Sequence, residues 1–293
     1  MESGKIVVSI PTFDCTQYLR QAVLSILDQT YRDVAVYVVS DGEAKPPWHV
    51  LADLSDERLH RVALSHSRGP YFVHDLVLRA TGGDYLLIQD ADDWSEPNRI
   101  EVLVAELEAR PLIGVTAGQF YDGLYQSYAV TFCAPLRSDY YLDRTRHHGL
   151  YRCADLIEVG GYYAGYRFAF DSYLVNVLYT LNGLGYVDVP LYHRRRRSGS
   201  LSRDKRTGGG SVARAAVMEQ LVPMWRTVLA AAQSGRSPAD LRRYAADVLQ
   251  TRLGADGACE RDEAVGALQA NCGEPGPVLI RLSGGRKASE ATP

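Results

Sequence analysis

The chain reads as an α/β protein, a largely parallel sheet covered by helices on both faces. Three observations predict it. Apolar, β-branched runs alternate with helix-periodic segments along the N-terminal part of the chain. The runs are apolar almost throughout, as strands buried on both faces must be. Polar and acidic residues follow three of them, at the strand ends where such sheets bind ligands.

Residues 5–10 (KIVVSI) form the first strand, ended by Pro11. In CTQYLRQAVLSILDQ, Leu19, Val23, Ile26 and Leu27 fall on one helical face. Residues 34–40 (VAVYVVS) predict a second strand and 59–64 a third. Pro70 opens a helix at its first position, and Gly82-Gly83 stops it. Residues 84–89 (DYLLIQ) are a further strand, after which Ser95 and Pro97 open the helix PNRIEVLVAELEAR. Residues 212–232 are helical by pattern, with Leu221, Met224, Trp225, Val228 and Leu229 on one face and Pro223 as a kink. Segments 240–253 and 262–270 are further helices, and a tail from 283 is expected to be disordered.

The 293 residues suffice for one large α/β domain or two small ones, and 46% apolar with 23% charged residues is ordinary globular composition. No apolar run reaches the roughly 18–20 residues of a membrane span. MESGKIVVSIPTF lacks a secretory pattern, so a soluble, cytoplasmic chain is expected. A net charge of −3 gives no wholesale attraction to nucleic acid or anionic lipid. Of 32 basic residues 28 are Arg, read mainly as genomic base composition, although Arg also suits phosphate. Cys15, Cys133, Cys153, Cys259 and Cys272 show no zinc spacing and are expected to be reduced and structural.

The strand ends carry the chemistry. Pro11-Thr12-Phe13-Asp14 follows the first strand, Ser40-Asp41-Gly42 the second, and Asp90-Ala91-Asp92-Asp93 the fourth. Asp90-Ala91-Asp92 is the one D-x-D of the chain. Three carboxylates so close repel unless solvent or a cation separates them. An acidic turn in which Asp93 or Ser95 caps the next helix is the plain alternative. The place beside two other polar strand ends favours a cation, and all-oxygen ligands suit Mg²⁺ or Mn²⁺ shared with a diphosphate. Neither GxxxxGK[ST] nor a GxGxxG after a strand is present, which argues against a P-loop NTPase or a classical dehydrogenase.

VVSIPTFDCTQYLRQAVLSILDQTYRDVAVYVVSDG and RATGGDYLLIQDADDW resemble the nucleotide-sugar domain of family 2 glycosyltransferases. GLYRCADLIEVGGYYAGYRFAFDSYL resembles the acceptor-side segment that carries the family's base, and LYHRRRRSGSLS the loop that closes on the donor. The resemblance covers roughly residues 5–202. It implies a GT-A, Rossmann-like fold, a mixed but mainly parallel sheet flanked by helices. A catalytic domain over 1–210 would then precede a helical extension over 211–282 and a disordered 283–293.

Roles follow by resemblance. Pro11, Thr12, Phe13 and Asp14 match the P-T-Y-N turn and would bind the base, with Asp14 where Asn is commoner. Asp41 matches the second Asp of D-D-G-S and would contact base or ribose, whereas Ser40 replaces the first and weakens or loses that contact. Arg68 is a contact to base or phosphate, or else structural, and Asp75 falls near the family's A-R-N Asn with the same alternative. Asp90, with Ala91, would lie by the ribose and Asp92 on Mn²⁺ or Mg²⁺. Asp171 would be the general base, or merely a helix cap ahead of Ser172; Phe170 replaces the usual preceding Glu. Alignment on Gly199-Ser200 puts Arg197 where the family's loop His reaches metal or diphosphate, so Arg197 would grip the diphosphate, with His193 an alternative metal ligand. Segment 202–211 would be a lid. His147, His148 and Tyr163 would line the acceptor cleft, and Tyr140, Tyr141, Tyr151, Tyr162 and Tyr166 are platform or core.

The implied function is inverting, metal-dependent transfer from a UDP-, dTDP- or GDP-linked sugar to a small-molecule, peptide or glycan acceptor, in bacterial natural-product, peptide or envelope glycan synthesis. No nucleic acid or membrane span is expected, and the C-terminal helices serve packing or a homodimer contact. The departures at Ser40, Phe170 and Arg197 motivate the alternative, a catalytically inactive nucleotide- or sugar-binding scaffold.

Overall fold

The computed structural model describes residues 4–126, 141–142, 146–272 and 276–282. Its strands are β1 (Ile6–Thr12), β2 (Val34–Ser40), β3 (Leu59–Leu64), β4 (Tyr85–Ile88), β5 (Trp94–Ser95), β6 (Gly114–Tyr121), β7 (Leu124–Gln126), β8 (Gly149–Arg152), β9 (Leu184–Arg194) and β10 (Val278–Ile280). The helices are α1 (Thr16–Leu27), α2 (Pro70–Ala80), α3 (Arg99–Ala109), α4 (Cys153–Glu158), α5 (Phe170–Thr180), α6 (Val212–Gln233) and α7 (Pro238–Ala270). Among the described residues the strands make one sheet in the order β10-β3-β2-β1-β4-β8-β6-β9-β5, with β7 on β6. β10, β3, β2, β1 and β4 run parallel. β8 reverses the direction between β4 and β6, and β9 returns parallel to β6.

The strands are apolar throughout because they face two cores. Val7 of β1, Ala35, Tyr37 and Val39 of β2, and Leu86 and Ile88 of β4 enter the cluster under α2, α5, α6 and α7. Their neighbours Ile6, Val8, Ile10, Val34, Val36, Val38 and Leu87 enter the cluster under α1 and α3. That alternation is the period of two of a strand, with both faces buried. Each fully buried Val, Leu or Ile contributes about 1.5–3 kcal/mol.

Several expectations change. Residues 94–95 form β5 against β9, so the following helix begins at Arg99 rather than at Ser95 or Pro97. The helices expected at 240–253 and 262–270 are one run, α7, broken where Gly254 takes φ 70°. The C-terminal stretch is helical, as α6 and α7, and packs on the sheet. Leu221, Trp225, Val228, Leu249 and Leu268 share the core of the sheet, and β10 extends it beside β3. Trp225 Nε1 donates to Thr180 Oγ1 of α5 at 3.0 Å, and Arg242 of α7 bridges Asp155 and Glu158 of α4. Cys15, Cys153, Cys259 and Cys272 are free thiols. Cys133, Tyr140 and the tail over 283–293 lie outside the described residues. No described helix is long and apolar enough to cross a membrane.

Candidate active site

The D-x-D turn leaves β4 on a buried polar platform. Gln89 Oε1 accepts from Ser95 Oγ at 2.7 Å and from Arg99 Nη1 at 3.0 Å. Arg99 Nη2 donates to Ile88 O at 3.0 Å, and the guanidinium lies 4.5 Å from the Tyr192 ring centre. Burial pulls the Arg99 pKa down to about 10. With Ser95 committed to Gln89 and Asp93 Oδ1 accepting from Arg195 N at 2.7 Å, neither caps α3. Burial first, and then Asp90, raises the Asp92 carboxyl above the ordinary carboxylate value; burial, Asp90 and Asp92 push Asp93 higher still.

The ends of β1 and β2 lie beside this turn. Pro11 and Thr12 pair with Val39 and Ser40, and Ala91 is buried in the core beneath. Phe13 is 54% exposed, an apolar ring presented to solvent at the strand end. Asp14 takes φ 53° and donates its N–H to Glu43, whose other carboxylate oxygen accepts from Ser40 Oγ at 2.8 Å. Glu43 thus brings a carboxylate to the end of β2 where Ser40 has none. Asp41 turns away from solvent and accepts from Ser67 Oγ, Arg68 N and Gly69 N at 2.6–2.8 Å. Asp41 thus anchors the 67–69 loop at the end of β2. Gly42 at φ 77° is required there, since a Cβ would lie 2.1 Å from Ser67 N. The Arg68 guanidinium is tied to Glu260 of α7 and to His66, contacts that fit its structural alternative. Asp75 pairs with Arg79 at 2.8 Å and accepts from Tyr162 N, also a structural role.

The basic run leaves β9 toward the D-x-D turn. Arg197 Nε donates to Asp92 Oδ2 at 2.5 Å and Nη2 to Cys15 Sγ at 3.0 Å. Arg195 lies 4.6 Å from the ring centres of both Tyr18 and Trp94. A cleft of about 290 Å³ opens beside Arg197, lined by Asp14, Thr16, Gln17, Tyr18 and Ser198. His193 lies on β9, away from the two groups of metal-ligating atoms around Asp90. It stacks between its cross-strand neighbours Trp94 and Phe120 at 4.6 and 4.7 Å, and its Nε2 meets Glu96 at 2.6 Å. Segment 202–211 forms hydrogen-bonded turns, with Thr207 O accepting from Arg214 of α6.

Asp171 stands in the first turn of α5, entered through Ala169 at φ 66°. No side chain caps this helix, so the capping alternative falls. Asp171 Oδ1 accepts from Tyr71 Oη of α2 at 2.6 Å, and its other oxygen lies 4.0 Å from His147 Nε2. The side chain keeps 21% exposure. Burial would raise its pKa, but His147, the Tyr71 hydroxyl and Arg214 outweigh it and hold the carboxyl below its ordinary value. His147 Nδ1 meets Tyr162 Oη at 2.9 Å, and the His147 and His148 rings lie 4.2 Å apart. His148 Nε2 in turn meets Asp90 Oδ2 at 2.8 Å. Burial lowers the His147 pKa to about 4 and takes that of His148 well below its ordinary value. The two histidines thus join the Asp171 side to the Asp90 side. Tyr163 stays apart, edge-on to Phe72 at 5.2 Å. Tyr71, Glu43 and Arg99 were missed in the sequence, which holds no local signal for them.

Two groups of described residues bring metal-ligating atoms within 4.8 Å of one another: Asp90, Asp92 and Asp93, and Asp90, His147 and His148. The first offers the hard oxygens of a Mg²⁺ or Mn²⁺ site. Yet Asp92 Oδ2 already carries a cation, the Arg197 guanidinium, and Asp93 Oδ1 a backbone N–H. The oxygens suit a divalent ion, but a guanidinium already stands on one of them.

The profile of the family described as glycosyl transferase family 2 matches residues 7–173. Glycosyltransferase GlyA of Streptococcus pneumoniae serotype 4 is 24% identical over 225 residues, 68% of this chain and 32% of GlyA. WfaP of Escherichia coli, a UDP-Glc:alpha-D-GlcNAc-diphosphoundecaprenol beta-1,3-glucosyltransferase, is 21% identical over 89 residues, 30% of this chain and 36% of that protein. The matches thus span well under half the length of these curated relatives. Among solved structures, S. aureus TarS 1-349 in complex with UDP-GlcNAc aligns with a TM-score of 0.63 at 16% identity, covering 85% of this chain and 72% of that one. The mannosyltransferase PcManGT of Pyrobaculum calidifontis, in complex with GDP-Man and Mn²⁺, aligns at 0.55 and 15% identity, covering 92% and 87%. Both likenesses place the sheet and its helices in the GT-A fold.

Proposed function

Because the chain belongs to glycosyl transferase family 2, we propose that it moves a sugar from a nucleoside-diphosphate donor to an acceptor hydroxyl with inversion at the anomeric carbon. One observation carries the reading: a partly exposed carboxylate, Asp171, held by Tyr71, faces the D-x-D turn across the His147–His148 pair. In this reading the nucleotide occupies the strand ends between the turn at Pro11–Thr12–Phe13–Asp14 and Asp90. Phe13 packs on the base, and Glu43 supplies the acceptor atom that Ser40 cannot. A UDP-, GDP- or dTDP-linked sugar fits the class, since the structural neighbours hold UDP-GlcNAc and GDP-Man.

The acceptor oxygen attacks the anomeric carbon while its proton passes to Asp171. The anomeric carbon–oxygen bond breaks with its electron pair on the β-phosphate oxygen, so glycoside and nucleoside diphosphate form in one displacement. Tyr71 fixes one Asp171 oxygen and leaves the other for the hydroxyl. Mn²⁺ or Mg²⁺ at Asp92 would counter the charge on the leaving diphosphate only if Arg197 gave way to it. The inactive-scaffold alternative draws on Ser40, Phe170 and Arg197, but an oriented, ionised Asp171 has no use in a mere binding module. In the test, Asp171→Asn should keep nucleotide affinity and lose transfer by about 10²–10⁴-fold; turnover at the wild-type rate would remove the base assignment.

A further inference from the structure

The resemblance places a metal-reaching imidazole at the loop position that here holds Arg197. The guanidinium bridges two elements the donor must touch. Nε sits on Asp92 of the D-x-D turn, and Nη2 on Cys15, whose Sγ in turn donates to Phe13 O at 3.2 Å. Its Nη1 has no hydrogen-bond partner among the described residues, and Arg197 borders the 290 Å³ cleft with Asp14, Thr16 and Gln17. The approach is fixed from behind, because Arg195 is held through its backbone on Asp93 and its side chain between Tyr18 and Trp94. His193, the other imidazole near the loop, is committed to Glu96.

We infer that Arg197 is the built-in cation of the donor site: the chain binds its nucleoside diphosphate without a divalent metal, the guanidinium countering the diphosphate charge. This rests on the glycosyltransferase reading given above. The chemistry is suited to it. A guanidinium is a permanent, planar charge that can present two N–H groups to phosphate oxygens while its Nε stays on a carboxylate. A divalent ion at Asp92 would have to share an oxygen with that charge. When the bond to the anomeric carbon breaks, the electron pair left on the β-phosphate oxygen faces Arg197, and no co-reactant is needed.

The test is calorimetric titration of UDP, GDP and dTDP into the full chain, in EDTA and in Mn²⁺. One nucleotide should bind in EDTA with a Kd within about threefold of its value in Mn²⁺. Arg197→Gln should weaken it about 10- to 100-fold in both buffers, the loss expected for a charge-assisted contact. Arg197→His should be weak in EDTA and recover about tenfold or more in Mn²⁺, with circular dichroism matching wild type for each variant. Electron paramagnetic resonance gives a second readout: free Mn²⁺ signal should persist with wild type and fall with Arg197→His. Should Arg197→His not fold, Arg197→Lys, which keeps the charge, should retain metal-free binding. Wild-type binding that requires Mn²⁺ overturns this inference and leaves the glycosyltransferase reading intact. No nucleotide binding in either buffer overturns the donor site itself, and the inference with it.

Discussion

Tyr71→Phe isolates one hydrogen bond at the centre of the acceptor side. The ring keeps its contacts with Phe170 at 5.7 Å, Tyr162 at 6.3 Å and His147 at 6.4 Å, so the substitution removes only the hydroxyl. That hydroxyl donates to Asp171 at 2.6 Å. A hydrogen bond to a charged group contributes about 1.5–3 kcal/mol. For a chain of this size the loss corresponds to a fall in Tm of roughly 3–12 °C, at about 2–4 °C per kcal/mol. In an Asp171→Asn background the acceptor is neutral, so the same substitution should cost only about 0.5–1.5 kcal/mol. The difference between backgrounds is the coupling energy of the pair. Catalysis should report it too. Asp171 is held below its ordinary value partly by this donor, so without it the carboxyl rises and the acid limb of the rate profile moves to higher pH. Urea unfolding of the wild type and the three variants, and nucleoside diphosphate release from pH 4 to 8, are the assays. Equal costs in both backgrounds, together with an unmoved acid limb, would refute the view of Asp171 as an ionised base fixed by Tyr71.

Other predictions are structural. Trp225→Ala empties a buried site and removes the indole donor to Thr180, whose hydroxyl keeps its bond to Asn176 O, so it should cost about 3–5 kcal/mol while unfolding stays a single transition; a separate early transition would show that the C-terminal helices fold apart from the sheet. Arg99→Met removes the donors that fix Gln89, Ser95 and Ile88, so it should lower stability by about 3 kcal/mol or more and weaken nucleotide binding through the displaced Asp90–Asp92 turn. Wild-type nucleotide affinity in that variant would argue against the platform. His74 is buried, and burial lowers its pKa from 6.5 to about 3. Unfolded chain therefore takes up a proton that folded chain refuses as pH falls below 6.5, and stability drops through that window. At pH 5 this amounts to about 2 kcal/mol, which His74→Asn should not lose between pH 7.5 and 5; denaturant midpoints of both proteins at the two pH values measure it. Asp92 and Asp93, whose pKa values are raised, act with the opposite sign, so the comparison is between the variant and wild type at each pH.

The parallel half of the sheet was legible because β1, β2 and β4 are buried on both faces and must be apolar in sequence. The antiparallel half was not. β9 carries Asp188, Pro190 and Arg194 among its apolar residues, and its pairing with β6 shifts register around Gly118. β10 is three residues long and owes its place to the edge that β3 leaves open. The same contrast holds at the site. Asp90, Asp92 and Asp171 stand out in sequence because a strand end or a helix start marks them. Glu43, Tyr71 and Arg99 act through contacts across the fold that no local pattern records. The surroundings of His193 are hidden for a related reason: it alternates with Arg194 on β9, and pairing with β5 stacks it on Trp94. The partners of Arg68 and Asp41, Glu260 and the 67–69 loop, appear only once α7 and β3 are placed.

The most direct test of the glycosyltransferase account is nucleotide release from a panel of UDP-, GDP- and dTDP-linked sugars, with wild type and Asp171→Asn measured side by side and water or a simple alcohol as acceptor. One donor turned over by the wild type, and about 10²–10⁴-fold more slowly by the variant, is the expected result. Turnover of no donor by folded wild-type protein, or equal turnover by both proteins, would contradict it.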